Sequence, residues 1–273
     1  MGSSPTSMGS AILNRLGSVL YWVFFTTALV VFCTIQATVW LLTTPFDPQR
    51  RITHLMNAWQ GTLYLAVVPS WKIHIVGREK IDPRVTYVYA ANHASISDVV
   101  LVLKLRTQFK FVAKANLFRV PLLGWTMFFA NYIPLERGHR ESIAKMMGIA
   151  RDWLKGGMSV LMFPEGTRSE DGRLRPFKHG AFTLARECNV KVLPIALHES
   201  HLLARKHSNA VAAGADIHIT VEVLDPIDPA DFADVESLSL ATRERIRVAL
   251  GQDEATEASP AQPNPVGSPA LAS

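Results

Sequence analysis

From Leu16 to Phe46 the chain runs for 31 residues without an Asp, Glu, Lys or Arg, bounded by Arg15 and Asp47 and including the apolar stretches Val19 to Phe25 and Ala28 to Phe32. A helix needs about 20 apolar residues to cross the hydrocarbon core of a bilayer. This run is therefore long enough to span with tilt, or to lie as a deep anchor. It is too long for the core of a signal peptide, and no small-x-small cleavage site follows closely. Whatever fold comes after it must work while held at a bilayer surface.

A second uncharged stretch, Ile52 to Trp71, contains His54, Asn57 and Gln60 and stops near Pro69, so it reads as amphipathic. Four of the six tryptophans (Trp22, Trp40, Trp59, Trp71) fall in these two segments, as rings at a headgroup boundary do. The expectation is a membrane-docking two-helix segment over residues 16–71. The competing reading buries Ile52 to Val68 as a helix of the soluble part. Arg15 stands alone before the run, whereas Arg50, Arg51, Lys72, Arg78 and Lys80 follow it, which places the remainder on the cytoplasmic side of the membrane. The opening Met1-Gly2-x-x-x-Thr6 fits a minimal myristoylation pattern; with Pro5 inside it and an anchor already present, coincidence is the better account.

The chain as a whole is 48% apolar and 19% charged, too apolar for a disordered protein and too charged for a polytopic membrane protein. Cys33 and Cys188 form no C-x-x-C pair, which removes a disulfide scaffold and a zinc ribbon and favours a reducing compartment. The net charge of +5 is unevenly spread, because residues 104–205 carry 17 basic and 8 acidic side chains. Such a field favours an anionic partner; nucleic acid is not among the partners expected.

Beyond Trp71, β-type runs (Lys72 to Val76, Val85 to Ala91, Phe109 to Ala113, Tyr132 to Leu135, Ser159 to Phe163, Val190 to Leu197, Ile217 to Leu224) alternate with helical ones. The helical runs are Val99 to Leu105, Glu141 to Lys155, Gly180 to Cys188 and, after the last strand, Ser237 to Leu250. This alternation predicts an α/β fold with a mixed, mostly parallel sheet covered by helices. The domain plan is a flexible start over residues 1–15, the anchoring segment 16–71, a globular domain 72–250, and a disordered Pro-, Ala- and Ser-rich tail 251–273.

Two segments carry the chemistry. In Tyr87-Val-Tyr-Ala-Ala-Asn-His-Ala-Ser-Ile-Ser-Asp98 an apolar strand runs into Asn92-His93, and Ser95 with Asp98 reads as an acidic capping box opening the next helix. On one continuous helix a spacing of five would set His93 and Asp98 on different faces. A loop followed by a helical turn lets the carboxylate reach back to the imidazole, fixing its tautomer and raising the basicity of the other nitrogen, as a general base needs. The alternative is a helix cap beside a histidine with no chemical role. In Phe163-Pro-Glu165-Gly166-Thr167-Arg168-Ser169 a strand ends in a tight turn with hydroxyls and a guanidinium, at the strand end where open α/β sheets bind ligands. Arg168 suits phosphate oxygens; an ordinary turn is the competing reading. Lys114 and Arg137 each follow a predicted strand, and either phosphate binding or simple solvation accounts for them.

Asn92-His93-x-x-x-x-Asp98, then Tyr132 to Arg137, then Phe-Pro-Glu-Gly-Thr-Arg at 163–168, then Val192-Leu-Pro-Ile-Ala196 together resemble the glycerolipid acyltransferase family, and within it the 1-acyl-sn-glycerol-3-phosphate acyltransferases. The resemblance implies that His93 takes the proton of the sn-2 hydroxyl of a lysophosphatidic acid acceptor and that Asp98 holds its imidazole. The hydroxyl oxygen then attacks the thioester of acyl-CoA or acyl carrier protein, giving phosphatidic acid, with no metal or cofactor. It further implies that Glu165, Gly166, Thr167 and Arg168 form the glycerophosphate-binding block, with Arg137 and Lys114 as further basic contacts. The second block departs from the family's usual glycine and aspartate by Asn131 and Glu136. Related acceptors, glycerol 3-phosphate or a lyso-aminolipid, are the nearest alternatives.

More distant readings are a serine esterase, a metal site and a non-catalytic lipid-binding module. The chain has no G-x-S-x-G elbow. His198-Glu199-Ser200-His201 with His207 lacks the H-E-x-x-H order. A binding module leaves the pairing of His93 with Asp98 without a role.

Overall fold

The computed structural model describes residues 8–203 and 216–253. The Gly2–Thr6 pattern, His207 and residues 254–273 of the expected tail lie outside the described residues.

Helix α1 (Met8–Thr43) turns through residues 44–50 into α2 (Arg51–Ala66). Seven strands follow: β1 (Trp71–Val76), β2 (Tyr87–Ala91), β3 (Phe109–Lys114), β4 (Ile133–Leu135), β5 (Ser159–Met162), β6 (Lys191–His198) and β7 (Ile217–Val223). They form one sheet in the order β1-β7-β6-β2-β5-β3-β4, parallel throughout except between β6 and β7. The mixed, mostly parallel sheet anticipated from the alternation is thus the observed one. β2 and β5 are buried at every position, which explains why they read as continuous apolar runs rather than alternating ones.

The interleaved helices are α3 (Asp98–Leu103), α4 (Leu123–Phe129), α5 (Arg140–Lys155), α6 (Gly180–Cys188) and α7 (Val235–Ala249). Met146, Ala150 and Leu154 of α5 pack with Phe182 and Leu184 of α6 over Val88 and Val160 on one side of the sheet. On the other side, Leu101 and Val102 of α3 and Ala58 and Leu65 of α2 cover Tyr89, Phe109 and Leu161. The sequence pattern did not mark α4. Its residues are apolar on all sides, which hides the helical period, and Gly124 is required there because a Cβ would lie 2.1 Å from the Phe118 carbonyl oxygen.

The first two helices pair in an unusual sense. Among the described residues α1 is the one helix long and apolar enough to cross a membrane, and Val19, Leu20, Val23, Leu41 and Leu42 are exposed along it. Helix α2 buries four polar residues alongside Ala58, Tyr64 and Leu65, and exposes a stripe of large apolar ones. Thr53, His54, Asn57 and Gln60 face inward, whereas Ile52, Leu55, Trp59 and Leu63 face out. The inward groups are hydrogen-bonded: Gln36 Nε2 of α1 donates to Asn57 Oδ1 (3.2 Å) and to the Thr53 carbonyl (3.0 Å), leaving Gln36 Oε1 buried without a partner, and Asn57 Nδ2 donates to the Tyr132 hydroxyl (3.2 Å). His54 bonds Tyr132 and the Thr107 carbonyl at 3.0 and 2.8 Å. Burial holds its pKa near 3, with nearby Lys110 lowering it further, so it is a neutral internal hydrogen-bonding group. One face of this helix is thus packed into the fold, as the reading of residues 52–68 as a buried helix expects, and the other is an exposed stripe of Ile52, Leu55, Trp59 and Leu63.

Candidate active site

Strands β2, β5, β3 and β4 lie side by side and parallel, so their carboxyl ends open on one edge. His93 leaves β2 there, the Phe163–Arg168 segment leaves β5, Lys114 ends β3, and Arg137 follows β4. Sites of open α/β sheets form at this edge because successive loops converge on it.

Asn92 secures the exit of β2. Its side-chain amide mimics a strand backbone by donating to the Leu197 carbonyl (3.0 Å) and accepting from the Leu197 amide (2.7 Å) of β6. The chain then turns so that Asp98 Oδ2 accepts three hydrogen bonds, from His93 Nδ1 (2.7 Å), Ala94 N (2.8 Å) and Ser95 N (2.8 Å). Asp98 is fully buried, and these donors offset the loss of its hydration. A carboxylate acceptor places a proton on Nδ1 and leaves the Nε2 lone pair outward. Only half of the anticipated capping box forms: Asp98 takes the Ser95 amide, but the Ser95 hydroxyl accepts from Ser97 N instead of from Asp98. The Asp98 amide donates to the Ser95 carbonyl (3.3 Å) instead, which takes it away from the Ser95 hydroxyl.

The 163–169 segment wraps around His93. The Phe163 ring stacks on the imidazole at 4.2 Å between centroids, Glu165 Oε1 accepts from His93 N (2.6 Å), and Ser169 N donates to the His93 carbonyl (2.7 Å). Glu165 Oε2 accepts from Arg175 N (3.1 Å), so the two carboxyl oxygens tie three loops together. Burial raises the Glu165 pKa to about 8 against the opposing pull of those two amides. Glu165 faces the loop backbones rather than the open edge.

Cations occupy that edge. Desolvation and then the nearby Arg168 guanidinium hold Arg137 below its ordinary pKa, which places the two side chains in each other's field. Lys114 pairs in register with Leu135, two residues before Arg137. Gly166 has φ +71°, and a Cβ there would sit 2.9 Å from Lys178 Nζ. Lys178, which the sequence did not single out, therefore stands beside Gly166 in the turn that leads to Thr167 and Arg168. Nothing in the loop composition between Ser169 and His179 marked it. Among the described residues none of Lys114, Arg137, Arg168 and Lys178 is paired with a carboxylate, whereas Arg119 contacts Glu136 at 3.7 Å.

The 198–201 histidines lie elsewhere. His198 bonds Glu222 (2.9 Å), His201 lies 3.8 Å from Glu199, and among the described residues no group of three His, Cys, Asp or Glu side chains is arranged to hold a metal ion.

Residues 72–198, which contain every residue placed at this edge, match the Acyltransferase family. A protein named as the chloroplastic 1-acyl-sn-glycerol-3-phosphate acyltransferase LPAT1 of Arabidopsis thaliana is 37% identical over 190 residues, 67% of this chain and 52% of that one. A 1-acyl-sn-glycerol-3-phosphate acyltransferase of Chlamydomonas reinhardtii is 34% identical over 71% of this chain and 59% of its own length. The chain thus spans little more than half the length of these relatives. The crystal structure of the 1-acyl-sn-glycerophosphate acyltransferase PlsC from Thermotoga maritima shares the fold, with a TM-score of 0.75 over 91% of this chain and 99% of that one at 22% identity. Through residues 72–198, the chain belongs to the acyltransferase family.

Proposed function

We propose that this protein transfers a fatty acyl group from a thioester donor, acyl-CoA or acyl carrier protein, to the sn-2 hydroxyl of lysophosphatidic acid, forming phosphatidic acid. The observation that carries the reading is the His93–Asp98 pair, with Nδ1 held at 2.7 Å by a buried carboxylate, next to an edge of unpaired cations. His93 Nε2 accepts the hydroxyl proton as the oxygen attacks the thioester carbonyl. The tetrahedral intermediate collapses, the carbon–sulfur bond breaks, and the imidazolium returns its proton to the departing thiolate. Asp98 stabilises the imidazolium while it exists. Arg168, Arg137 and Lys114, with Gly166 and Thr167 shaping the turn, hold the acceptor phosphate by charge-assisted hydrogen bonds. Glu165 serves as a positioning residue for His93.

The relatives' names and the match over residues 72–198 support this chemistry. Residues 16–71 are taken as the membrane-docking segment and residues 72–250 as the catalytic domain, with the site on the cytoplasmic side. The outward apolar faces of α1 and α2 support membrane association.

The direct test supplies membranes bearing the protein with lysophosphatidic acid, glycerol 3-phosphate or a lyso-aminolipid and each donor type, with products read by mass. Phosphatidic acid is the expected product, and its absence with every donor refutes the assignment. The variant His93→Ala is expected to lose about 10²- to 10⁴-fold in rate; survival above about a hundredth of wild type removes His93 as the base.

A further inference from the structure

At the opposite pole of the sheet from His93, the amino ends of β2, β3 and β5 frame a cavity of about 470 Å³. Tyr89 and Ser159 line its floor, and three arginines, Arg51, Arg78 and Arg106, line its walls. Among the described residues none of the three is in an ion pair. Each is held by a contact that leaves its terminal nitrogens available. Arg78 donates Nε to the Leu105 carbonyl (3.0 Å), Arg51 donates Nε to Gln49 Oε1 (2.8 Å), and the Arg106 guanidinium lies 3.9 Å over the Trp59 ring. Of the two carboxylates that reach the cavity, Glu79 and Asp82, the second is engaged by Arg84 through two hydrogen bonds of 3.1 and 3.0 Å. The cavity is therefore net positive.

It also holds two buried polar atoms short of partners. Gln108 Oε1 has no hydrogen-bond partner, and Thr107 Oγ1 has the Tyr89 hydroxyl beside it without a well-formed bond; buried polar atoms left so in a folded protein call for an explanation. An amide oxygen accepts hydrogen bonds and a hydroxyl both donates and accepts, so a ligand that satisfies both atoms and the guanidiniums carries an anionic group together with hydroxyl donors. The walls lead to the outward apolar face of α2: Arg51 opens that helix, and Trp59 under Arg106 belongs to the exposed stripe Ile52, Leu55, Trp59 and Leu63.

We propose that this cavity takes the headgroup of an anionic phospholipid whose headgroup alcohol keeps free hydroxyls, with its acyl chains lying along the α2 stripe. The arginines grip the phosphate, the hydroxyls reach Gln108 and Thr107, and the domain is seated on the bilayer at a pole remote from the acyl-transfer edge. This inference is independent of the acyl-transfer reading.

The test is thermal melting of the full chain in neutral detergent micelles, with dihexanoylphosphatidylglycerol, dihexanoylphosphatidylcholine or inorganic phosphate added at equal concentration. Phosphatidylglycerol is expected to raise Tm by about 2–4 °C, and the other two to leave it unchanged. An equal rise with phosphate would make this a free-anion site, and an equal rise with phosphatidylcholine would remove the role of headgroup charge; either overturns the proposal. The double variant Arg78→Gln/Arg106→Gln is expected to lose the shift and Arg168→Ala to keep it, and the reverse pattern moves the lipid to the acyl-transfer edge. If the double variant does not melt cooperatively, Gln108→Leu decides. It retains all three arginines and is expected to reduce the shift by half or more, and an unchanged shift refutes the site.

Discussion

Replacing Asp98 with Asn isolates the charge of the carboxylate from its geometry. Asp98 Oδ2 accepts from His93 Nδ1, Ala94 N and Ser95 N, while its Oδ1 is buried without a partner. An Asn oxygen set in the Oδ2 position keeps all three bonds, and the amide NH₂ falls where nothing was bonded before. The imidazole thus stays oriented in the same tautomer, and the negative charge is lost. With side chains 11% and 0% exposed, solvent screens the pair little; unit charges about 4 Å apart at an effective dielectric constant of about 20 interact by about 4 kcal/mol. That interaction exists only while His93 is protonated, in the transition state and the intermediate, so at about 1.36 kcal/mol per decade kcat falls about 10³-fold. KM for both substrates is expected to stay within about three-fold. The buried NH₂ without an acceptor costs about 1–3 kcal/mol, visible as a lowered Tm. Asp98→Ala is the wrong perturbation, because it orphans three buried N–H groups and approaches the whole stability of a domain, about 5–15 kcal/mol. Initial rates of thiol release, with Tm measured on the same preparation, provide the assay. A folded Asn variant that keeps more than about a tenth of the wild-type kcat refutes the role given to the charge.

Glu165→Gln sets an NH₂ against the amide of either His93 or Arg175, and is expected to destabilise the protein by about 1–3 kcal/mol. The native Glu165 pKa is raised to about 8, so its contribution to stability is full below its ordinary carboxyl value and is lost as pH rises through about 8; the difference between variant and wild type in denaturation at pH 5 and pH 8.5 reads this slope. Lys110, fully buried and donating to the Ala130 carbonyl at 2.7 Å, behaves oppositely because burial lowers its pKa to about 7. Between about 7 and its ordinary value the unfolded chain binds the extra proton, so stability rises with pH over that window, and Lys110→Met is expected to flatten denaturation midpoints between pH 6.5 and pH 9. Gly166→Ala forces a side chain into φ +71° and displaces Lys178, costing about 1 kcal/mol of backbone strain. Its kinetic signature is a raised KM for a phosphate-bearing acceptor with kcat little changed; a change in kcat alone would contradict the placement of that turn.

Local chemistry made much of this molecule legible in advance. An uncharged, apolar run as long as Leu16–Phe46 reads as one long helix, which the structure forms, and strands buried on both faces, such as Tyr87–Ala91 and Ser159–Met162, announce themselves as short apolar runs. The His93 and Asp98 spacing already showed that the two side chains meet only across a loop followed by a helical turn, since a continuous helix would separate them; that they do meet is seen in the structure. Helix α4 stayed hidden because it is apolar all round. The sense of α2 stayed hidden because amphipathicity identifies two faces without saying which one meets water, and the partners that decide it, Gln36, Thr107, Thr126 and Tyr132, come from elsewhere in the chain. The cradle around His93 is of the same kind. By itself the sequence determined the long apolar first helix, the class of sheet and the chemical types at its edge, because these depend on periodicity and on neighbours within a few residues. Only the tertiary structure decided that Glu165 holds loop backbones, that Lys178 stands beside Gly166, and that three arginines meet around buried polar atoms at the far pole, because those contacts join residues separated by as few as 10 and as many as 72 positions where parallel strands bring their ends together.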